Sequence, residues 1–207
     1  MNHLIVYAKH PLPGYAKTRL AAGIGAAEAA GVYARLLYSY LHDLCCAEWA
    51  ETHITLAVSA SADAPFFDVA FPEFDVQPQV AGDFGARMAA SFARAFAAGA
   101  ECVVLTGSDI PLLDAVLVQR AFAALETAPA VIGPAEDGGY YLLGLRAPGA
   151  PLFDGVAWST GRVLAQTEAL ARAAGLPLSY LPVLADLDTV EDYHAWYHKK
   201  ELAYGAT

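Results

Sequence analysis

The chain contains 207 residues, which is enough for one domain with a substantial hydrophobic core, and we expect a single domain over 1–207. Its formal net charge of −10 argues against a broad nucleic-acid surface. No apolar run approaches the roughly 18–20 residues of a membrane span, and the first run is too short for a signal peptide. The composition therefore predicts a cytoplasmic protein without a membrane span.

Predicted strands and helices alternate along the chain. Apolar and β-branched runs predict strands at 3–8, 52–59, 74–80, 102–107, 130–135, 139–145 and 178–184. Helical spacing of apolar residues predicts helices at 26–48, directly after 82–83, and at 112–126, 161–174 and 189–202. This alternation predicts a three-layer α/β/α fold with a mainly parallel central sheet, in which ligands bind beyond the carboxyl ends of the strands.

The segment AKHPLPGYAKTRL, directly after the first strand, has the position of a phosphate-binding loop. It is not a Walker loop, because Pro11 and Ala16 stand where that loop needs glycine, and proline has no N–H to donate. The segment instead predicts a turn hinged at Gly14 that delivers Lys17 and Arg19 to an anion. No acidic residue occurs among the first 27, so local positive charge on an acidic chain indicates a small anionic ligand.

Carboxylates follow two of the later strands. Asp109, in SDIP, comes just after its strand and is interpreted as a metal or ligand contact, because Asp114 is better placed to cap the next helix. Glu136 and Asp137 precede a Gly-Gly pair. That loop is either a hairpin turn or a place where the backbone approaches a ligand closely.

The C-terminal segment LADLDTVEDY carries further carboxylates. Asp186 and Asp188 extend toward the same sheet edge as Asp109. Thr189 and Asp192 instead have the pattern of a capping box at the start of the last helix, so Asp192 is interpreted as structural.

The tripeptide WST precedes the helix predicted at 161–174. Ser159 or Thr160 could cap that helix with Trp158 packed beneath it. Trp158 could equally stack on a base or a sugar, and the sequence leaves both alternatives open.

Two groups of apolar side chains are predicted to lie in the core. A stripe at four-residue spacing follows the GD pair and consists of Phe84, Met88, Phe92 and Phe96. The cysteines match no zinc spacing and are interpreted as small buried side chains: Cys45, Cys46 and Cys102.

Taken together and in order, AKHPLPGYAKTRL, GDFGARM, TGSDIP, GPAEDGGYYLLGL, WST and DLDTVEDY resemble a bacterial family over nearly the whole chain. This is the DUF2064 family, also called rSAM/selenodomain-associated transferases, whose members are glycosyltransferase-A-like. The resemblance implies the nucleotide-diphospho-sugar transferase fold. More distantly, KTRL, SDIP and the DLDT segment resemble guanylyltransferases of the 2-phospholactate and molybdenum-cofactor types.

The resemblance also implies roles for individual residues. Asp109 and Asp188, with Asp186 as the alternative to Asp188, match the carboxylates that hold Mg²⁺ or Mn²⁺. The positions implied to bind the nucleotide donor are Ala8, Lys9, Pro13, Gly14, Lys17, Arg19, Gly82, Asp83, Ser108 and Asp109. The positions implied to bind the acceptor are Glu136, Asp137, Gly138, Gly139, Trp158, Ser159 and Thr160. The chain lacks the glycine-rich nucleotidyltransferase loop, and Gly107 stands where a D-x-D pair would begin.

These features predict a divalent-metal-dependent transferase that uses a nucleotide-sugar or nucleoside-triphosphate donor and a small-molecule acceptor. In nucleotidyl transfer, Lys17 and Arg19 would neutralise the pyrophosphate, and an already ionised acceptor needs no base. In glycosyl transfer, Asp137 or Glu136 would serve as base for the acceptor hydroxyl. The catalytic set is thus Lys17, Arg19, Asp109 and Asp137. The alternative from another class is a non-catalytic sensor that binds nucleotide, and a homodimer is left open.

Overall fold

The structure is a computed structural model that describes residues 1–148 and 151–204, with side chains described up to residue 198. Its strands are β1 (Asn2–Ala8), β2 (Thr52–Val58), β3 (Asp75–Pro78), β4 (Cys102–Thr106), β5 (Ala130–Pro134), β6 (Tyr140–Leu145) and β7 (Leu178–Tyr180). Its α-helices are α1 (Thr18–Ile24), α2 (Ala26–Cys46), α3 (Ala64–Ala70), α4 (Phe84–Ala97), α5 (Ala115–Leu125), α6 (Val163–Ala173) and α7 (Val190–Tyr204). In this part of the chain, no helix has the length and apolar character needed to cross a bilayer.

The strands form one seven-stranded sheet in the order β3-β2-β1-β4-β6-β5-β7. All neighbouring pairs are parallel except those of β6, which runs antiparallel to both β4 and β5. The prediction of a mainly parallel sheet is therefore confirmed. The single reversal follows from the short turn between β5 and β6, because only antiparallel neighbours can be joined by a tight hairpin.

Helices cover both faces of the sheet. One core joins the sheet to α2, α3 and α5, with fully buried side chains such as Leu37, Phe67 and Val118. The other joins the opposite face to α4 and α6, with Met88 and Phe92 at its centre. Burying each such side chain contributes about 1.5–3 kcal/mol. The three-layer α/β/α architecture predicted from the sequence is confirmed.

A third, smaller cluster lies beside the sheet, where α1, α2 and α7 meet. Leu187 is fully buried in it against Leu20 of α1 and Val32 of α2. Helices α1 and α7 approach closely here, since a Cβ at Gly23 would lie only 2.8 Å from the Cβ of Val190. The segment that leads into the last helix is thus part of the packed interior.

Acidic side chains cap three of the helices. Asp83 Oδ1 accepts a hydrogen bond of 2.8 Å from the N–H three residues later at the start of α4, and Asp114 does the same for α5. Before α7, Asp192 Oδ2 accepts from the N–H of Thr189, whose own hydroxyl oxygen accepts from the N–H of Asp192. The predicted capping box is confirmed, and so is the preference for Asp114 over Asp109 as a cap.

The structure differs from the sequence prediction in several local features. The strand predicted at 178–184 ends at Tyr180, and only an isolated bridge between Ala135 and Leu184 continues it. Helices α1 and α3 were not predicted. Each has only seven residues, which is too short for a clear helical period.

Two predictions of burial were wrong in part. Cys45 and Cys46 are exposed near the end of α2, and only Cys102 is buried. The apolar stripe of α4 is buried at its centre, but Phe84 is 36% exposed. It stands at the start of the helix, beyond the sheet edge, and therefore borders a cavity instead of the core.

Candidate active site

A cavity of about 430 Å³ lies beyond the carboxyl ends of the strands. The ends of β1 and β4, the turn between β5 and β6, the first turns of α4 and the segment before α7 all contribute to it. Its size falls in the range of small-molecule sites. The location is the one that the parallel strand order predicts, because loops following neighbouring strands converge at one edge.

A cluster of ion pairs forms one wall of this cavity. Lys17 Nζ lies 2.7 Å from Asp109 Oδ2 and 2.7 Å from Asp188 Oδ1. The Lys17 side chain is 2% exposed, whereas Arg19, which pairs with the other oxygen of Asp188, is 67% exposed. Three distant parts of the sequence thus meet around one buried ammonium.

The charges of this cluster perturb one another. Burial by itself lowers the pKa of the Lys17 ammonium, but Asp109 and Asp188 outweigh it and hold that pKa above its usual range. Burial likewise raises the pKa of the Asp188 carboxyl, yet Lys17 and then Arg19 bring it below its usual value. Lys17 and Asp188 are therefore both charged at neutral pH.

Local backbone geometry brings Lys17 into this position. The turn contains Gly14 at a φ of 78°, and Lys17 itself adopts the left-handed conformation at φ 50° and ψ 48°. A non-glycine residue in this region carries strain that the surroundings must balance. The Tyr15 hydroxyl anchors the same turn by donating to Asp63 Oδ2 at 3.1 Å.

A chain of hydroxyl groups joins the ends of β1 and β4 beneath the cluster. The N–H of Lys9 donates to the Tyr33 hydroxyl at 2.9 Å. Tyr33 donates to Ser108 Oγ, which in turn donates to the carbonyl of Tyr7 at 2.8 Å. Burial raises the pKa of Tyr33 to about 12, so it stays neutral. The Ser108 hydroxyl is thus engaged within the protein.

Two more carboxylates border the cavity without a cationic partner among the described residues. Asp137 Oδ1 accepts from the N–H of Gly139 at 2.8 Å, which shapes the turn between β5 and β6. Burial, and then the nearby charges of Asp137 and Asp188, raise the pKa of Asp186 to about 6. This side of the cavity can accept protons or bind cations.

The donor set fits a divalent cation of the Mg²⁺ type. Such ions commonly bind one or two carboxylates together with substrate phosphates. Asp109 and Asp188 already hold one cation between them, the Lys17 ammonium. Over residues 1–148 and 151–198, no group of three or more His, Cys, Asp or Glu side chains could hold a metal by itself. Donor phosphates would therefore have to complete the coordination.

The two carboxylates are not equally available. Lys17 and Arg19 engage both oxygens of Asp188, whereas Lys17 contacts only one oxygen of Asp109. The second oxygen, Oδ1, lies 3.2 Å from the place where a Cβ on Gly107 would be. A side chain at that position would crowd Asp109, so the glycine keeps this oxygen accessible.

Many of the residues singled out in the sequence meet at the cavity. Those that line it are Ala8, Lys9, Lys17, Ser108, Asp109, Asp137, Gly139, Ser159, Asp186 and Asp188. Those outside its lining are Pro13, Gly14, Arg19, Gly82, Asp83, Glu136, Gly138, Trp158 and Thr160.

Several residues outside the lining have structural contacts instead. Trp158 packs edge-on against Phe84, and its Nε1 lies 2.6 Å from the place where a Cβ on Gly85 would be. The hydroxyl of Thr160 donates to the carbonyl of Ala157. Of the two interpretations of Trp158, these contacts favour packing over stacking on a ligand.

Sequence reasoning did not single out Gln79, Phe84 or Arg87 as parts of the cavity, although all three line it. A usable signal was present, because Arg87 follows Phe84 at helical spacing and must share its face. An arginine on an apolar face is unusual enough to indicate a site.

Comparison with known proteins agrees with this architecture. A protein of Desulfovibrio desulfuricans G20, assigned by name to the nucleotide-diphospho-sugar transferases, is 35% identical with a TM-score of 0.88, over 98% of this chain and 89% of that one. A CMP:2-keto-3-deoxy-manno-octonic acid synthetase complexed with CTP is 10% identical with a TM-score of 0.58, over 96% of this chain and 99% of that one.

Another solved structure with this fold is the Mycobacterium tuberculosis glucosyl-3-phosphoglycerate synthase in complex with Mn²⁺, UDP and glucosyl-3-phosphoglycerate. It is 12% identical with a TM-score of 0.54, over 98% of this chain and 77% of that one. At this level of identity the last two comparisons show the fold alone. A search among proteins of curated function finds no match.

The family comparison covers the centre of the chain. Residues 44–160, more than half of the total, match the DUF2064 family, which is described as an uncharacterized protein conserved in bacteria. The matched segment includes Asp109, Asp137 and Arg87, whereas Lys17 and Asp188 lie outside it. Together with the 35% identical relative, this match shows that the chain belongs to the DUF2064 family, with the fold of the nucleotide-diphospho-sugar transferases.

Proposed function

We propose that this protein is a divalent-metal-dependent glycosyltransferase that uses a nucleotide-sugar donor. The observation that carries the proposal is the Lys17–Asp109–Asp188 cluster on the wall of a cavity at the carboxyl ends of the strands. A buried ammonium between two partly exposed carboxylates, on the wall of a cavity, fits a diphosphate and its counter-ion. The name of the 35% identical relative supports the same class of donor.

Each residue of the cluster would have a different role in binding a diphosphate. Asp109 and Asp188 would hold Mg²⁺ or Mn²⁺, which supplies positive charge that stabilises a diphosphate leaving group. Arg19, which is 67% exposed, can turn from Asp188 to a phosphate oxygen at little cost. Lys17 keeps the two carboxylates at a fixed distance and adds a charge that burial makes effective.

The carboxylates on the other side of the cavity favour glycosyl over nucleotidyl transfer. An acceptor hydroxyl must lose its proton as it attacks a sugar carbon, and a nearby carboxylate can take it. Asp137 lines the cavity and has no cationic partner in the described part of the chain, whereas Glu136 is outside the lining. We therefore assign the role of base to Asp137, with Asp186 beside it.

Binding can be tested by thermal shift with nucleoside triphosphates and nucleotide sugars, each with and without Mg²⁺ or Mn²⁺. A ligand at about 100 times its Kd should stabilise the protein by about 2.7 kcal/mol. We expect a metal-dependent shift with a nucleotide sugar, which is lost in Asp109→Asn. If Asp109→Asn binds metal and nucleotide like the unaltered protein, the assignment of the site is wrong.

The products then identify the reaction. Release of a nucleoside diphosphate indicates glycosyl transfer, and release of pyrophosphate indicates nucleotidyl transfer. Asp137→Asn should lower kcat by about 10²–10⁴ while leaving donor affinity unchanged, because a base acts on the acceptor. Glu136→Gln is the matched control and should leave kcat unchanged. Tight binding without turnover over a broad set of acceptors would instead identify a sensor.

A further inference from the structure

Besides Lys9 and Lys17, a third cationic side chain, Arg87, lines the same cavity, on an element that the Lys17 cluster does not use. Arg87 lies in the first turns of α4, and its Nη1 donates to Gln79 Oε1 at 3.0 Å. The Gln79 amide is itself oriented, since its Nε2 donates to the carbonyl of Ala57 at 2.8 Å. The guanidinium carbon lies 5.4 Å from the centre of the Phe84 ring. Arg87 is thus held in place from two directions.

The hydrogen-bonding capacity of Arg87 is only partly used. Its Nε is buried and has no hydrogen-bond partner, and no carboxylate of the described residues lies within 4.0 Å of the guanidinium. A buried donor without an acceptor is costly, and more so on a charged group. Because Nη1 is engaged, the unused edge of the guanidinium is the one formed by Nε and Nη2. That edge matches the two oxygens of a carboxylate or phosphate.

Arg94, two turns further along α4, provides an internal comparison. Its Nη1 donates to Gln77 Oε1 at 2.7 Å, and Gln77 Nε2 donates to Asp75 Oδ2 at 2.6 Å. That chain of hydrogen bonds ends on a carboxylate, which balances the charge of the arginine. The corresponding chain from Arg87 ends on the neutral carbonyl of Ala57. The same helix thus presents one compensated arginine and one uncompensated arginine, and only the latter lines the larger cavity.

We propose that Arg87 is a second anion-binding position of the cavity and takes a carboxylate or phosphate group of a substrate on its guanidinium, whose charge no carboxylate of the described residues balances. This inference rests on the proposed transferase function and narrows it to substrates that carry an acidic group in addition to the donor's diphosphate near Lys17. The group can belong to an acidic acceptor or to the donor. In either case, the arginine selects an acid over its neutral analogue, because without an anion its charge has no carboxylate partner among the described residues.

The test measures binding by isothermal titration calorimetry to Arg87→Gln, Arg87→Lys and the matched control Arg94→Gln. The probes are UDP, for the donor's phosphates, and 3-phosphoglycerate, a small acid with both a carboxylate and a phosphate. We expect Arg87→Gln to weaken at least one probe by about tenfold or more. Arg87→Lys should recover only part of the loss, since lysine keeps the charge but not the fork. Arg94→Gln, which removes the same charge, should stay within about twofold of the unaltered protein.

The pattern of losses identifies the source of the anion. A loss confined to 3-phosphoglycerate assigns the acid to the acceptor, and a loss confined to UDP assigns it to the donor. Equal binding of both probes by Arg87→Gln and the unaltered protein overturns this inference while leaving the transferase proposal intact. Failure of the unaltered protein to bind either probe overturns this inference, whereas failure to bind any nucleotide or nucleotide sugar in the thermal-shift experiment overturns the transferase proposal. Thermal denaturation of each variant shows that the measured protein is folded.

Discussion

Asp188→Asn is the substitution that most directly probes the buried ion cluster. It removes the charge that faces Lys17 at 2.7 Å on one oxygen and the partner of Arg19 on the other. Asparagine keeps the shape of the side chain, so packing around it changes little. The buried ammonium then has Asp109 as its one charged partner within the described part of the chain.

The expected loss of stability follows from the burial of each of the two ion pairs of Asp188, with Lys17 and with Arg19. A hydrogen bond between charged groups contributes about 1.5–3 kcal/mol when it is sheltered from water. The ion pair between Asp188 and Arg19 is exposed and adds at most about 0.5 kcal/mol to the free energy of unfolding. We therefore expect the free energy of unfolding to fall by about 2 kcal/mol. For a domain of this size, that lowers Tm by about 4–8 °C.

The assay is urea denaturation at neutral pH, with Arg19→Gln as the matched control. Arg19→Gln removes only the exposed ion pair with Asp188 and should change the free energy of unfolding by no more than about 0.5 kcal/mol. Lys17→Met and the Lys17→Met/Asp188→Asn pair complete a double-mutant cycle, in which the two losses should not add. Additive losses would mean that the 2.7 Å contact contributes nothing to stability.

The same experiment has a defined pH dependence. The pKa of Asp188 lies below its usual value in the folded protein, so the unfolded chain takes up the proton first as pH falls. Its contribution to stability is therefore complete at neutral pH and is lost as pH drops below about 4. The difference in the free energy of unfolding between the unaltered protein and Asp188→Asn should therefore vanish as pH falls below about 4. A difference that stays constant down to pH 3 would contradict this account of the cluster.

Three further predictions concern other parts of the fold. Asp83→Ala should lower the free energy of unfolding by about 1 kcal/mol in urea denaturation, whereas Asp83→Ser should retain the cap of α4. Gly138→Ala should lower the free energy of unfolding by about 3 kcal/mol, because φ is +85° and the new Cβ would lie 2.3 Å from the carbonyl oxygen of Gly161. The control Gly155→Ala, at φ +68° with open space around it, should lower it by only about 1 kcal/mol. Burial, and then the charge of His53, lower the pKa of His3 to about 4. The unfolded chain therefore binds the proton first as pH falls, and the free energy of unfolding should decrease by up to about 3 kcal/mol between pH 6.5 and 4. A pH profile of His3→Gln that matches that of the unaltered protein would show that His3 does not cause this loss.

The convergence of Lys17, Asp109 and Asp188 could be predicted from the sequence for a simple physical reason. Each follows a strand, and in a mainly parallel sheet the segments after the strands meet at one edge. The positions of the strands and long helices could also be predicted from the sequence, because apolar periodicity distinguishes the two. Asp83 shows the limit of this reasoning, since its location near the site was inferred but its role as a cap was not.

Other features depend on contacts that no local pattern records. The burial of Lys17 between two carboxylates requires its left-handed backbone conformation, which is rare for lysine and has no signature in sequence. Phe84 belongs to an apolar stripe that continues into the core, so the sequence could not show that its first member faces a cavity. The place of Arg87 on the apolar face of α4 could be seen in the sequence, but its surroundings, namely an amide and a ring but no carboxylate, could not.

The burial of Leu187 has a consequence for how the active-site wall is assembled. Its neighbours along the chain are Asp186 and Asp188, and its side chain is locked beneath α1, the helix that begins directly after Lys17. We therefore expect docking of α7 and closure of the charged wall to occur together. A variant in which α7 is displaced should keep its sheet but lose the alignment of these carboxylates. The alignment of the two carboxylates therefore depends on the packing of α7 against α1, at a distance from the sheet.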